Sequence, residues 1–164
     1  KCYSFIEMDV LMKSIIFLIT FISFLNAEQY TFLVNKSDKE LELEAKIISN
    51  IATAAIKNEI KLYIPEISNV EKEVYSKFFN LSDSCENANF IYIKKSIDTN
   101  SLCKSTQNEK IFFTNNYEKL LNDNRYLGAF FWNKSRPNIT FIKTRLEKQK
   151  VELPNDYDKF VEDF

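Results

Sequence analysis

Apolar runs separated by short polar segments divide the chain into alternating helices and strands. Apolar residues from Leu43 to Ala55 recur at helical spacing and predict a first helix. The runs 90–93 and 111–113 contain only apolar residues, which is typical of strands buried on both faces of a parallel sheet. The predicted strands are 60–64, 90–93, 111–114, 127–132 and 139–142. The last two predict an antiparallel hairpin with a polar loop over 133–138.

Cap-forming residues mark where the helices between these strands begin. Capping boxes are predicted at Ser37–Glu40 and at Ser68–Glu71, where a serine is followed three residues later by a glutamate. Asn115 and Thr144 are expected to cap two short helices, and 97–103 predicts a weak helical turn. A last helix is expected to open at Pro154 and to run through Val161, whereas the polar segment 81–89 is expected to be irregular.

The order of elements predicts a fold of the α/β class. Strands that alternate with helices form a parallel sheet covered on both sides. We therefore expect one three-layer domain over residues 28–164, with a mostly parallel sheet that ends in a C-terminal antiparallel hairpin.

The N-terminal region has the pattern of a secretory signal peptide. Residues 14–25 are apolar except for hydroxyls, too short for the roughly 20 residues of a membrane span. Lys13 precedes this run and Ala27 follows it, so we expect a signal peptide over 12–27 that is cleaved after Ala27, with an uncleaved anchor as the alternative. Residues 1–11 are interpreted as an upstream extension foreign to the mature protein. The product is then periplasmic, without stable membrane insertion.

Composition removes several classes of function. The chain has no histidine, which excludes a Ser-His-Asp triad and an imidazole-ligated zinc. Its single glycine, Gly128, excludes the glycine-rich loops that hold nucleotide phosphates. With 22 Lys+Arg against 23 Asp+Glu, the chain lacks the cationic excess typical of nucleic-acid binding. We expect no catalytic residues, no cofactor, no metal and no nucleic acid.

Two cysteines remain after the predicted cleavage, Cys85 and Cys103. Each precedes a predicted parallel strand, so both lie at the same edge of the sheet. They can therefore approach within the roughly 5.5–6 Å between Cα atoms that a disulfide requires. An oxidising compartment favours the bridge, with a structural or a redox-responsive role left open.

The aromatic run 130–132 is the most unusual feature of the C-terminal half. In a strand, Phe130 and Trp132 share one face. The side chains form core if the sheet is covered there, and a binding surface if the hairpin lies at an edge. Arginines near the hairpin, Arg125 and Arg136 among them, favour a partner that carries carboxylates. We therefore predict partner binding by Phe130, Trp132, Arg125 and Arg136.

The span from about residue 43 to 161 resembles the YfiR-like family of periplasmic regulators. Its first helix LEAKIISNIATAAI and strand EIKLYI resemble the opening of that family. The segments ANFIYIKKS and KIFFTNN are similar to its central strands, and LGAFFWNKSRPNITFIKTRLEKQKVELPNDYDKFV is similar to its C-terminal hairpin and helices. Where the family carries a cysteine just before the central strand, this chain has Ala88.

The resemblance implies a regulator that binds the periplasmic sensing domain of an inner-membrane diguanylate cyclase and represses it, often as a homodimer. The residues themselves leave two alternatives. One is a small periplasmic ligand-binding module, with a crevice near Pro65, 94–96 and 115–116 at the carboxyl ends of the strands. The other is a hydrolase that uses carboxylates alone, drawn from the pairs Glu71/Glu73, Asp156/Asp158 and Glu162/Asp163.

Overall fold

In the part of the chain that the structure describes, seven strands form a single sheet in which most neighbours run parallel. The computed structural model describes residues 38–94, 103 and 110–163. Backbone contacts divide the chain into two units, Lys1–Glu40 and Leu41–Phe164, and the sheet belongs to the second. The strands are β1 (Lys61–Tyr63), β2 (Asn80–Leu81), β3 (Phe90–Ile93), β4 (Ile111–Thr114), β5 (Tyr126–Asn133), β6 (Arg136–Ile142) and β7 (Val161–Glu162).

The strand order is β2-β1-β3-β4-β5-β6-β7. All neighbouring strands pair in parallel except β5 and β6, which form an antiparallel hairpin. The predicted fold class, an α/β domain with a mostly parallel sheet and a C-terminal hairpin, is confirmed. None of the helices formed by the described residues is long and apolar enough to cross a membrane; the predicted signal peptide lies outside those residues.

Short helices lie between the strands along the chain, and one longer helix precedes them. They are α1 (38–55), α2 (Asn69–Tyr75), α3 (Tyr117–Asn122), α4 (Lys143–Gln149) and a 3₁₀ helix (Asn155–Phe160). The capping box of α2 is confirmed, because the Ser68 side chain accepts from the Glu71 amide while the Glu71 carboxylate accepts from the Ser68 amide. Ser37 and the predicted turn over 97–102 lie outside the described residues.

Two of the predicted caps were wrong. Helix α3 is capped by Asn116 instead of Asn115, because the Asn115 amide continues the sheet by donating to the Ile93 carbonyl. Helix α4 starts directly from β6 with Ile142 at its N-cap position and no side-chain cap. Thr144 therefore lies inside that helix.

Alternation along the strands builds one apolar core on each face of the sheet. In β3, Phe90 and Tyr92 enter the core beneath α1 and α2, whereas Ile91 and Ile93 enter the core on the opposite face, next to α3. All four side chains are buried. This pattern confirms that the run is a strand covered on both sides.

Strand β5 changes the pattern at its single glycine. The pairing of β4 with β5 shifts by one residue, so that Phe112 is opposite Tyr126 and Phe113 is opposite Gly128. Leu127 and Ala129 consequently enter opposite cores although they are two residues apart. A Cβ atom on Gly128 would lie 2.5 Å from Phe113 Cε2 and 2.6 Å from the Thr140 carbonyl oxygen. The glycine is required here for space.

Three further details differ from the predictions. Strand β2 lies where irregular structure was predicted to begin, because two residues are too few to show any periodicity. The last predicted helix is a 3₁₀ helix, and Val161 already belongs to β7. The loop predicted over 133–138 contracts to a two-residue turn, Lys134-Ser135.

Candidate functional site

The two cysteines predicted to pair do so in the structure. Cys85 and Cys103 form a disulfide with 5.5 Å between their Cα atoms. Cys85 is only 1% exposed and lies in the core on the α3 side of the sheet. The bridge lies near the amino end of β3, as the parallel topology predicted.

A buried lysine reinforces the loop that carries Cys85. Lys110 Nζ donates to the carbonyl oxygens of Cys85, Glu86 and Ala88 at 2.9, 2.8 and 2.7 Å. One ammonium group therefore binds three carbonyl oxygens of a loop that takes no part in strand pairing. Sequence reasoning missed this role of Lys110.

The four residues predicted to bind a partner do not form one surface. Phe130 is completely buried, because its side chain enters the core on the face of the sheet that α1 and α2 cover. Trp132 is half-buried and packs edge-on against Phe130, with 5.5 Å between ring centroids. Arg136 is exposed at the tip of the hairpin. Arg125 precedes β5 at the opposite end, roughly 25 Å away along the strand, and pairs with Asp123.

The outer half of the hairpin extends beyond both neighbouring strands. Strand β4 pairs with β5 only as far as Ala129, and β7 pairs with β6 only at Phe141 and Ile142. Residues 130–133 and 136–140 therefore pair only with each other among the strands that the structure describes. We call residues 132–138 the hairpin tip.

The hairpin tip combines an aromatic ring with positive charge. Lys134 and Arg136 are exposed, Trp132 is half-buried, and no Asp or Glu occurs between residues 126 and 142. Lys134 and Ser135 have φ values of 48° and 62°, left-handed backbone that side chains other than glycine and asparagine rarely adopt. Accessible aromatic and arginine side chains are the residues most often found at the centre of protein interfaces.

A second polar site, which sequence reasoning did not find, lies at the carboxyl end of β3. Glu44 of α1 is buried, and its Oε1 atom accepts from Tyr75 Oη at 2.7 Å and from Tyr92 Oη at 3.4 Å. Lys94 Nζ lies 2.8 Å from Glu44 and 2.7 Å from Glu71. We call these five side chains the carboxylate–lysine network.

Contacts within the carboxylate–lysine network shift the pKa values of Tyr75, Tyr92, Lys94 and Glu71. Burial and the neighbouring charges raise the pKa of Tyr75 and of Tyr92 far above the ordinary range of a phenol. Burial lowers the pKa of Lys94, but Glu44 and Glu71 outweigh that effect and raise it. Burial likewise raises the pKa of Glu71, yet hydrogen bonds from Lys94 and Ser68 bring it to about 2. Near neutral pH the two phenols are therefore neutral and Lys94 is charged. The resulting hydrogen bonds and ion pairs join α1, α2 and β3.

The sequence did carry a signal for this network. Glu44 lies four residues before Ile48 on the buried stripe of α1, where an unpaired carboxylate would be costly. A charge on an apolar stripe predicts a buried cationic partner, but the sequence alone does not identify Lys94 as that partner.

A basic cavity lies at the other edge of the sheet, near the amino end of β5. Its volume is about 570 Å³, and its lining residues are Phe112, Asp123, Asn124, Arg125, Arg145, Lys148, Gln149 and Lys150. Arg145 Nη1 donates to the carbonyl oxygens of Leu120, Asp123 and Tyr126, which holds the guanidinium in place. A smaller cavity of about 250 Å³, near Ile64 and Ser82, lies at the edge where the sequence predicted a crevice.

Glu71 of the first carboxylate pair considered for hydrolysis, and both members of the pair Glu162/Asp163, make other contacts. Glu71 binds Lys94 and Ser68, Glu162 accepts from Tyr117 Oη at 3.1 Å, and Asp163 pairs with Lys143 at 3.3 Å. Among the described residues, no group of three or more Asp, Glu, Cys or His side chains could hold a metal ion.

Comparisons with known proteins add no assignment to this geometry. A scan against protein-family models, a search of curated proteins and a search of solved structures each found no match to the chain.

Proposed function

We propose that this protein is an exported, non-enzymatic regulator. In this proposal it binds the periplasmic sensing domain of an inner-membrane signalling protein, such as a diguanylate cyclase, and represses it. The sequence pattern that resembles YfiR-like regulators supports this proposal, and so does the disulfide, because such bridges persist in oxidising compartments.

The observation that carries the proposal is the projecting hairpin tip. It presents Trp132, Lys134 and Arg136 beyond the edge of the sheet, with backbone groups of β5 and β6 that pair with no further described strand. Phe130 supports the indole from below, so that Trp132 is a rigid anchor. The two cations and the lack of acidic residues favour an acidic surface on the partner.

Site-specific photocrosslinking in cells tests this assignment. A photoreactive amino acid at position 136 is expected to crosslink to one inner-membrane signalling protein, whereas the same group at exposed Lys77 of the α2 end is not. With the photoreactive group kept at position 136, Trp132→Ala with Lys134→Glu is expected to abolish the adduct and to raise cellular cyclic-di-GMP while the melting temperature changes little. Equal adducts at both positions, or unchanged signalling in a folded double variant, would contradict the proposal.

A second candidate function is a small ligand-binding module. The basic cavity favours it, because its volume falls within the range of roughly 300–1,000 Å³ that small-molecule sites occupy. The two functions are compatible, since the cavity and the hairpin tip lie at opposite ends of β5.

A further inference from the structure

We propose that the basic cavity is a binding site for a small phosphate-bearing molecule. This inference is independent of the proposed regulatory function. It is based on three observations: the cations that line the cavity, the hydrogen bonds and ion pairs that these cations already form, and the face of α4 on which they lie.

Subtracting the pairs already formed leaves a strong positive excess in the cavity. Arg125 and Asp123 neutralise each other, with Arg125 Nη2 2.6 Å from Asp123 Oδ2. Arg145, Lys148 and Lys150 remain, so the lining formed by the described residues keeps three positive charges. Within the part of the chain that the structure describes, neither Lys148 nor Lys150 has an ion-pair partner.

The α4 helix aims these groups at one place. Arg145, Lys148 and Gln149 stand three and four residues apart and therefore share a face of the helix, and all three line the cavity. Lys150 follows at the C-cap in left-handed conformation, with φ of 54°. A lysine near a helix C-terminus also stabilises the helix dipole, but that role does not require an arginine about one turn earlier to point into the same cavity.

The arginine provides the fixed part of the site. Its Nη1 donors are occupied by backbone carbonyls, and its Nη2 donates to Asn124 Oδ1 at 3.1 Å while retaining a second hydrogen. Burial lowers the pKa of Arg145, which the Asp123 carboxylate offsets only in part. An anion in the cavity would supply the counter-charge that this guanidinium lacks.

The lining favours a phosphate ester over a bare ion. A phosphate dianion matches one rigid guanidinium together with two flexible ammonium groups. Phe112 contributes an aromatic wall, and the cavity has room for an organic group attached to the phosphate. We therefore expect the ligand to carry a phosphate on a small organic body.

Isothermal titration calorimetry at low ionic strength tests the assignment on the oxidised protein. Phenyl phosphate is expected to bind with a Kd below about 1 mM, more tightly than inorganic phosphate, and added salt is expected to weaken it. Lys148→Gln with Lys150→Asn is expected to weaken binding about tenfold or more; asparagine is chosen because it tolerates left-handed backbone. The matched control, Lys72→Gln with Lys77→Gln on the α2 side, is expected to change Kd less than about twofold.

The location of binding is tested by NMR. Amide shifts are expected to move at residues 123–125 and 148–150 and to stay unchanged at the hairpin tip. Absence of binding at about 10 mM phenyl phosphate, succinate binding as tightly as phenyl phosphate, or equal losses in both double variants would overturn the proposal. None of these results depends on photocrosslinking at position 136, so this proposal and the regulatory function fail separately.

Discussion

Single buried charges hold together parts of this molecule that its strands do not reach. Lys110 is the clearest case, since its ammonium group binds three carbonyl oxygens of the loop that carries Cys85. Hydrogen bonds to charged groups contribute about 1.5–3 kcal/mol each. Removing the donor takes this partner from the Glu86 and Ala88 carbonyls, whereas the Cys85 carbonyl still accepts from the Ala88 amide.

Lys110→Met keeps an apolar stem of similar length and removes only the donors. We expect it to lower the free energy of unfolding by about 2–3 kcal/mol, measured by urea denaturation. The control is Lys77→Met at an exposed position, with an expected change within about 0.5 kcal/mol. Equal effects of the two substitutions would contradict the role of Lys110.

Glu71 makes the stability of the protein depend on pH in acid. Its pKa is about 2 in the folded protein against the usual 4.5, so the folded state favours the ionised carboxylate. The stabilisation is therefore complete above about pH 4.5 and is lost as the pH falls toward 2. We expect the parent protein to lose about 1–2 kcal/mol more than Glu71→Gln between pH 5 and pH 2.5.

Exposed Glu73 on the same helix is the matched control for this measurement. Glu73→Gln is expected to retain the acid dependence of the parent in urea titrations at each pH. A Glu71→Gln variant that follows the parent curve would show that the carboxylate–lysine network does not control acid stability.

Gly128 is expected to tolerate no side chain. Gly128→Ala places a methyl group 2.5 Å from Phe113 Cε2 and against the backbone of β6, and we expect it to cost about 3 kcal/mol in a thermal or urea melt. Phe113→Leu removes the nearest contact. The two substitutions should therefore be less harmful together than their sum, by about 1 kcal/mol. Strictly additive effects would contradict the steric explanation.

At the scale of elements, the β5–β6 turn places two consecutive residues in left-handed backbone. Lys134 and Ser135 both have positive φ, where asparagine and glycine are preferred. Lys134→Asn with Ser135→Gly is expected to raise the free energy of unfolding by about 1 kcal/mol, and Ser135→Val is expected to lower it. The opposite order of melting temperatures would refute this account of the turn.

Periodicity predicted the elements that are long enough to show it. Helix α1 and the hairpin were predicted from their periodicity, β3 and β4 from uninterrupted apolar runs between polar segments, and each was found where predicted. Strands β2 and β7 have two residues each, so their existence depends on pairing with β1 and β6. The turn Lys134-Ser135 was missed because neither residue is typical of positive φ.

At the scale of the whole molecule, pairing across the sheet decides which residues form a site. Cys85 and Cys103 were predictable because a parallel topology brings the amino ends of neighbouring strands together. The arginines were misplaced because their positions depend on strand length: Arg125 and Arg136 are close in sequence but lie at opposite ends of an eight-residue strand. The basic cavity and the carboxylate–lysine network join distant segments, which a single sequence does not reveal.

The burial of Cys85 limits access to its sulfur and favours a structural role for the disulfide. Thiol–disulfide exchange requires an attacking thiolate to reach a sulfur atom; Cys85 is 1% exposed, and Cys103 is half-buried against the same core. We expect dithiothreitol to reduce the bridge at least about 100-fold more slowly in native buffer than in denaturing urea, measured by thiol alkylation. Cys85→Ser with Cys103→Ser is expected to lower the free energy of unfolding by about 3 kcal/mol, because the bridge closes a loop between residues 18 apart. Reduction equally fast in both solvents would instead assign the pair to redox control, with the Lys110 contacts left to hold the loop after the bridge opens.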